Sequence, residues 1–125
     1  MNAVGTHVLL DLKKCNRASL NDLPFLREAL LEAAEKVGAT IIDHTFHQFS
    51  PQGVTGVVAI AESHLCIHTW PELGYAAVDI FTCGESFDPM KAARLIIERL
   101  ESKEPSAIQL KRGLMAQPAI GAHHG

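Results

Sequence analysis

Hydrophobic residues follow two different periods along this chain. In residues 6–14, Val8, Leu10 and Leu12 alternate with other residues, which is the two-residue period of a half-buried strand. Four more runs are rich in β-branched and apolar residues and are bounded by turn-forming residues, so they also predict strands. These runs are residues 39–49, 54–61, 65–70 and 75–83. A last strand is predicted for residues 106–111.

A period of three to four residues marks two helices. The first extends from Leu23 to Val37, with Asn21 or Asp22 as its N-cap and Gly38 at its end. The second begins at Asp88-Pro89, where a capping residue precedes a proline that suits the first helical turn. The remaining segment 113–125 has no clear period, and we expect it to be loosely ordered.

The order of these elements predicts the fold class. Consecutive strands favour an antiparallel sheet, because parallel strands need long crossover connections. Two helices can cover only one face of that sheet, which gives an α+β fold of the two-layer sandwich type. Residues 57–61 are apolar on both faces, so we expect the uncovered face to pack against a partner, most simply a second copy. The length of 125 residues indicates one domain, 1–125.

The composition of the chain argues against several classes of function. A formal net charge of -3 offers nothing that attracts a polyanion, so we expect neither nucleic acid nor an anionic membrane as a partner. No apolar run has the length of a bilayer span, and the first residues lack the layout of a secretory signal, which predicts a cytoplasmic protein. The three cysteines are widely spaced without a CxxC pair, which is not the pattern of a disulfide framework.

Histidine is abundant, with seven residues, and a metal site was weighed as one explanation. The sets His44 with His47, and His64 with Cys66 and His68, offer ligands that suit zinc or copper. The second set alternates onto one strand face in a row, whereas tetrahedral ligands converge from several elements. The structural interpretation is therefore favoured for most histidines, namely His7, His44, His47, His123 and His124.

The Ser63-His64 pair raises a second hypothesis, a serine hydrolase. The Gly-x-Ser-x-Gly elbow of such enzymes is absent here, because Ala61 and Leu65 stand at its two glycine positions, with Glu62 and His64 next to Ser63. A hydrolase triad is therefore not expected.

The sequence at the centre of the chain is a more specific indication of function than the histidines or the Ser-His pair. Residues 61–72 have the sequence Ala-Glu-Ser-His-Leu-Cys-Ile-His-Thr-Trp-Pro-Glu. This string resembles the processing segment of the short bacterial and archaeal S-adenosylmethionine decarboxylase proenzymes. Residues 47–51, 53–58 and 79–84 match the same family, so the resemblance covers nearly the whole chain.

The resemblance implies a self-cleaving precursor. In that family the peptide bond before the serine breaks by internal acyl transfer. Here the cut falls between Glu62 and Ser63, giving chains 1–62 and 63–125, and Ser63 becomes a covalently bound pyruvoyl group. That carbonyl forms a Schiff base with the substrate and accepts the electrons released by decarboxylation, so neither pyridoxal phosphate nor a metal is implied.

Roles for individual residues also follow from the resemblance. His68 handles the proton in processing, with support from Thr55, and Cys83 donates a proton to the α-carbon after carbon dioxide leaves. Phe49 stacks on the adenine, and Glu72 accepts hydrogen bonds from the ribose hydroxyls. The full set of implied substrate-binding residues is Phe49, Leu65, Trp70 and Glu72.

Two positions depart from the family pattern. In addition, the strand geometry does not by itself bring Ser63 and His68 together. Cys66 replaces a serine or threonine and brings a second thiol near the site, while Thr55 replaces a common serine. Strand alternation puts Ser63 and His68 on opposite faces, so a bend, a bulge or a partner subunit is needed to join them.

The implied functional unit is a homodimer of cleaved protomers, with the two sheets face to face in a four-layer α/β/β/α sandwich. Its substrate is S-adenosylmethionine, and its products are carbon dioxide and decarboxylated S-adenosylmethionine for spermidine and other polyamines. The alternatives are a pyruvoyl-dependent arginine or ornithine decarboxylase, an inactive regulatory homologue and a metal-binding module.

Overall fold

The computed structural model describes residues 2–84 and 87–115, which form one antiparallel sheet with helices on one side. The strands are β1 (Asn2–Lys13), β2 (Ile41–Gln48), β3 (Val54–Ile60), β4 (Ser63–Trp70), β5 (Tyr75–Cys83) and β6 (Glu104–Met115). The helices are α1 (Arg17–Leu20), α2 (Leu23–Lys36), α3 (Pro89–Leu100) and a short 3-10 helix (Pro71–Leu73).

Both long helices begin at side-chain caps. Asp22 accepts a hydrogen bond from the N–H of Phe25 at 3.1 Å, and Asp88 accepts one from Met90 at 2.9 Å. A proline stands in the first turn of each helix, where its missing N–H costs nothing. The caps explain why the predicted helix boundaries agree with the observed ones to within one residue for α2.

The strand order is β2-β3-β4-β5-β1-β6, and every neighbouring pair is antiparallel. The predicted α+β fold with an antiparallel sheet is confirmed, and the sheet contains six strands that correspond to the six predicted runs. The first strand lies between β5 and β6, so the first and last strands of the described residues pair within one sheet. This pairing is non-local and does not follow from hydrophobic period.

Several element predictions need correction, among them β1, which covers Asn2–Lys13 rather than residues 6–14. Strand β4 begins at Ser63, two residues earlier than predicted, and β6 covers 104–115 rather than 106–111. Residues 113–115, expected to be loosely ordered, therefore belong to a strand, while the rest of that segment, with His123 and His124, lies outside the described residues. Helix α1 was not predicted, because four residues are too few to show a period.

The hydrophobic core lies between the sheet and the helices α2 and α3. Alternate residues of β5 are buried against these helices, and the others point to the opposite side. Along β4 the buried residues are Leu65, Ile67 and Thr69. Burial of this kind supplies on the order of 1.5–3 kcal/mol per large aliphatic side chain, so the core fixes which face each strand residue occupies.

We call the opposite side of the sheet the open face. Strand alternation assigns to it the side chains of His7, Leu9, Thr55, Val57, Cys66, His68, Trp70, Tyr75, Asp79, Phe81, Cys83, Ile108 and Leu110. Several are large and apolar but well exposed, including Val57 at 38% and Ile108 at 57%. No helix within residues 2–84 and 87–115 has the length and apolar character needed to cross a membrane.

Candidate active site

The turn before Ser63 carries an uncommon backbone conformation. Ile60 pairs with Ser63, so Ala61 and Glu62 form a two-residue turn between β3 and β4. Glu62 has a φ of 62°, in the left-handed region, which costs a non-glycine residue about 1–2 kcal/mol. The peptide bond between Glu62 and Ser63 therefore lies next to a strained residue.

Ser63 lies beside Cys83 at one end of the sheet. Strand β4 runs next to β5, with Ser63 opposite Thr82, and the N–H of Cys83 donates to Ser63 Oγ at 3.4 Å. Ser63 and Cys83 are both half-buried. We call the group Glu62, Ser63 and Cys83 the cleavage end. It holds a hydroxyl, a thiol and a peptide bond that adjoins a residue in the left-handed conformation.

Thr55 and His68 form a second pair on the open face. They stand directly opposite each other on β3 and β4, and a hydrogen bond of 3.0 Å joins Thr55 Oγ1 to His68 Nδ1. Engagement of one ring nitrogen leaves Nε2 as the atom that can exchange a proton with another group. Both side chains are half-buried.

Phe49 lies close to this pair. It follows β2 in the turn that leads to β3, and its ring meets the edge of His47 with 4.6 Å between ring centroids. His47 in turn pairs with Thr55 across the strands. Phe49 is 47% exposed, so its side chain is accessible to a ligand. We call the group Phe49, Thr55 and His68 the histidine end.

The other predicted substrate residues differ in accessibility. Trp70 ends β4 and lies 5.3 Å from Tyr75 between ring centroids, and Glu72 is exposed on the 3-10 helix that follows. Both therefore lie near the histidine end of the sheet. Leu65 is fully buried in the core under the helices, so any contact of Leu65 with a ligand comes from its main chain rather than from its side chain.

The cleavage end and the histidine end are separated within one chain. Ser63 and His68 are five residues apart on β4, which is about 16 Å at the rise of a strand. The pairing of β4 with β3 and β5 is continuous between them, without a bulge. The register shift that the sheet does contain lies in β2, between Ile41 and Asp43. Neither a bend nor a bulge of β4 therefore brings Ser63 and His68 together within one chain.

Polar groups fill the middle of the open face. Arg112 Nη1 donates to His7 Nδ1 at 3.3 Å, and His7 Nε2 donates to Asp79 at 3.2 Å. Cys66 stands opposite Asp79. Burial raises the pKa of the Cys66 thiol, and the Asp79 carboxylate raises it further. Cys66 is therefore protonated at neutral pH, and it is a poor nucleophile there.

The metal hypothesis finds no support in the described part of the chain, where no three His, Cys, Asp or Glu side chains are grouped to hold an ion. His44 and His47 lie on opposite sides of β2, and His64 stacks on Phe81 at 5.6 Å. His44 also contacts a ring, that of Phe46, at 6.2 Å. His64 is half-buried, whereas His44 and His47 are exposed, and each of the three lies beside an aromatic ring.

Fold and site together define a two-layer α+β protein with a serine–cysteine pair and a threonine–histidine pair at opposite ends of two neighbouring strands. The family model described as S-adenosylmethionine decarboxylase matches residues 6–113. The chain therefore belongs to the S-adenosylmethionine decarboxylase family.

Individual relatives agree with this assignment. The S-adenosylmethionine decarboxylase proenzyme of Thermodesulfovibrio yellowstonii is 55% identical over 93% of this chain and 86% of its own length. The proenzyme of Moorella thermoacetica is 48% identical over 98% of both chains. These relatives share nearly the full length of the chain, so the family assignment covers all the elements of the site.

Solved structures support the fold. The crystal structure of adenosylmethionine decarboxylase from Aquifex aeolicus has a TM-score of 0.87 and 35% identity, over 94% of this chain and 97% of that one. The Trypanosoma brucei AdoMetDC-delta26 monomer has a TM-score of 0.64 at 17% identity, over 83% of this chain and 45% of that one. The second likeness shows the shared fold alone.

Proposed function

We propose that this chain is the precursor of a pyruvoyl-dependent S-adenosylmethionine decarboxylase that cleaves itself between Glu62 and Ser63. The observation that carries the proposal is the cleavage end, where the peptide bond after the left-handed residue Glu62 adjoins a serine hydroxyl beside a thiol. Membership of the S-adenosylmethionine decarboxylase family supports S-adenosylmethionine as the substrate. The expected products are chains 1–62 and 63–125.

Self-cleavage begins at the Ser63 hydroxyl. Its Oγ attacks the carbonyl carbon of Glu62, the C–N bond breaks, and an ester replaces the amide. Removal of the Ser63 α-proton then expels the Glu62 carboxylate and leaves dehydroalanine, which takes up water and releases ammonia to give the pyruvoyl group. Breaking this bond releases Glu62 from its left-handed conformation, so the strain favours the reaction.

The residues around Ser63 suit the group that it would become. The Cys83 N–H now donates to Ser63 Oγ, and the same N–H is available to the oxygen of a carbonyl formed there. That carbonyl supplies an acceptor for the electrons of the bond to the substrate carboxylate. The Cys83 thiol lies on the same strand end, where we assign it the delivery of a proton to the substrate α-carbon.

The active unit that we propose is a homodimer with open faces in contact. A two-fold axis between the sheets, midway between the two ends of β4, would bring His68 of the partner subunit over the cleavage end. Because strand alternation puts the Ser63 side chain on the helix side, a local rearrangement at Ser63 toward the open face would complete the site. His68 would then move the protons of processing, with Thr55 fixing its ring. Exposed apolar side chains on the open face support such contact, since they would leave water.

The histidine end suits the nucleoside of the substrate. Phe49 offers an exposed ring face for the adenine, and the exposed Glu72 carboxylate can accept hydrogen bonds from ribose hydroxyls. Trp70 would line the same pocket. Arginine and ornithine lack a nucleoside, so these residues favour S-adenosylmethionine. We place the enzyme in the cytoplasm, with neither nucleic acid nor membrane as a partner.

Intact mass under denaturing conditions tests the proposal. The wild-type chain is expected to give two fragments split between Glu62 and Ser63, the second with a blocked, pyruvoyl amino terminus. Ser63→Ala removes the attacking hydroxyl and is expected to stay whole, whereas Ser19→Ala, on α1, is expected to cleave normally. A wild-type chain that remains whole after prolonged incubation contradicts the proposal. Release of carbon dioxide from S-adenosylmethionine, compared with arginine and ornithine, then tests the substrate.

A further inference from the structure

Asn21 joins the α1–α2 connection to the turn that carries Phe49. Its Oδ1 accepts two hydrogen bonds, one from Gln48 Nε2 at 2.8 Å and one from the Gly53 N–H at 2.9 Å. Both partners are donors, so only the oxygen of the Asn21 amide can serve them. Gln48 and Gly53 flank the turn, and one atom therefore holds both of its ends.

Hydrogen bonds between residues of the turn itself also connect its two ends. The Phe49 N–H donates to the Gly53 carbonyl at 2.8 Å, and Gln48 Nε2 donates to the same oxygen at 3.1 Å. Gly53 is buried and has a φ of +106°, a conformation that side chains other than glycine rarely adopt. A buried N–H in such a turn needs an acceptor, and Asn21 provides it from 32 residues away in the chain.

A neighbouring contact fixes the same connection to the strands. Thr69 Oγ1 donates to the Leu20 carbonyl at 2.7 Å and accepts from the Val54 N–H at 2.9 Å. Thr69 lies between His68 and Trp70 on β4. The end of α1 is thus attached to the start of β3, to the end of β4 and, through Asn21, to the Phe49 turn.

We propose that Asn21 is a positioning residue for substrate binding, which sets the direction of the Phe49 ring by holding both ends of its turn. This rests on the proposed function, in which Phe49 stacks on the adenine of S-adenosylmethionine. Asn21 does not belong to the cleavage end, so its loss affects nucleoside binding rather than the reacting atoms.

The test compares two substitutions in the processed enzyme. Asn21→Ala removes the acceptor, and we expect KM for S-adenosylmethionine to rise about threefold to tenfold, the equivalent of one net hydrogen bond, while kcat stays nearly constant. Asn21→Asp keeps an oxygen at the same place and is expected to restore KM. Amide hydrogen exchange at Gly53 is expected to accelerate in Asn21→Ala and to return to the wild-type rate in Asn21→Asp.

Asn16→Ala is the matched control. Asn16 caps the other end of α1 by accepting from the Ser19 N–H at 3.2 Å, so its loss weakens the same helix without reaching the turn. An Asn21→Ala enzyme with wild-type KM and Gly53 exchange would overturn the inference, as would an equal rise of KM in Asn16→Ala. If Phe49→Ala raises KM and Asn21→Ala does not, the positioning role fails while the proposed function stands. A wild-type enzyme without decarboxylase activity contradicts the proposed function itself.

Discussion

Glu62 and Glu101 share the left-handed backbone conformation, with φ values of 62° and 55°. Only Glu62 adjoins the proposed cleavage bond, since Glu101 is the C-cap of α3. The two residues have the same side chain and the same backbone conformation at different places in the fold. A comparison of substitutions at both positions therefore separates the effect of backbone strain on stability from its effect on self-cleavage.

The first prediction uses this pair. In a Ser63→Ala background, which cannot cleave, Glu62→Gly and Glu101→Gly are each expected to raise the free energy of unfolding by about 1 kcal/mol, because glycine removes the steric cost. Urea denaturation measures this. With Ser63 present, Glu62→Gly is expected to slow self-cleavage about fivefold, the rate equivalent of the lost strain. Equal cleavage rates in wild type and Glu62→Gly would show that the strain does not contribute.

Tyr75 is the single tyrosine of the chain, and its hydroxyl donates to Asp11 Oδ1 at 2.5 Å. This hydrogen bond, with burial and the Asp11 and Asp79 charges, raises the pKa of Tyr75 from its ordinary value near 10 to about 12. The bonded, neutral phenol stabilises the fold. Because the folded pKa lies above the unfolded one, that stability is fully present below pH 10 and is lost as the pH rises toward 12.

The second prediction follows from that shift. A titration monitored by absorbance at 295 nm is expected to give a midpoint near pH 12 for the wild-type chain. Asp11→Ala removes the main cause and is expected to move the midpoint down toward 10, whereas Asp43→Ala, on the distant strand β2, leaves it in place. A wild-type midpoint near 10 would contradict the Tyr75–Asp11 hydrogen bond.

Among the helices, α2 depends on its cap at Asp22. The carboxylate accepts from the Phe25 N–H, one of the first-turn donors that lack a partner within the helix. Our third prediction is that Asp22→Ala lowers the free energy of unfolding by about 1 kcal/mol, measured by urea denaturation. Asp22→Asn keeps an accepting oxygen and is expected to stay close to wild type. A loss in Asp22→Asn as large as in Asp22→Ala would indicate that charge, rather than the cap, stabilises the helix.

Elements with local signals were predictable, and elements fixed by distant contacts were not. The ends of α2 followed from its cap and from Gly38. Strand β6 was predicted too short, because as an exposed edge strand it lacks a buried face and so shows little hydrophobic alternation. The Ser63, His68 and Cys83 positions came from the family pattern, since spacing does not reveal their contacts. The role of Asn21 was missed, because its partners lie on another element.

In the homodimer that we propose, the open face is the contact surface. Val57 lies near the middle of β3 on this face, and Val4 lies on the helix side of β1. The two side chains are equally exposed, at 38%. Val57→Asp would place a charge in the proposed interface, whereas Val4→Asp would place it outside.

The fourth prediction is that the wild-type chain and Val4→Asp sediment as dimers, and that Val57→Asp shifts toward monomers, because burial of an unpaired carboxylate is costly. Sedimentation velocity measures the association. Since His68 and Ser63 meet only across two subunits in this proposal, Val57→Asp is also expected to cleave more slowly. A monomeric wild-type chain that cleaves at a rate independent of its concentration contradicts the composite site.

The position of β1 between β5 and β6 would change the kinetics of refolding once the chain has been cut as proposed. In the cleaved form that we propose, each fragment contributes three strands, and β1 from the first fragment is inserted between two strands of the second. The precursor folds as one chain, in a first-order reaction independent of concentration. The mature protein, once unfolded, must bring two separate polypeptides together, so its renaturation becomes second order and slows on dilution. The proposed cleavage would therefore turn a chain that can fold repeatedly by itself into two chains that must meet before they can fold.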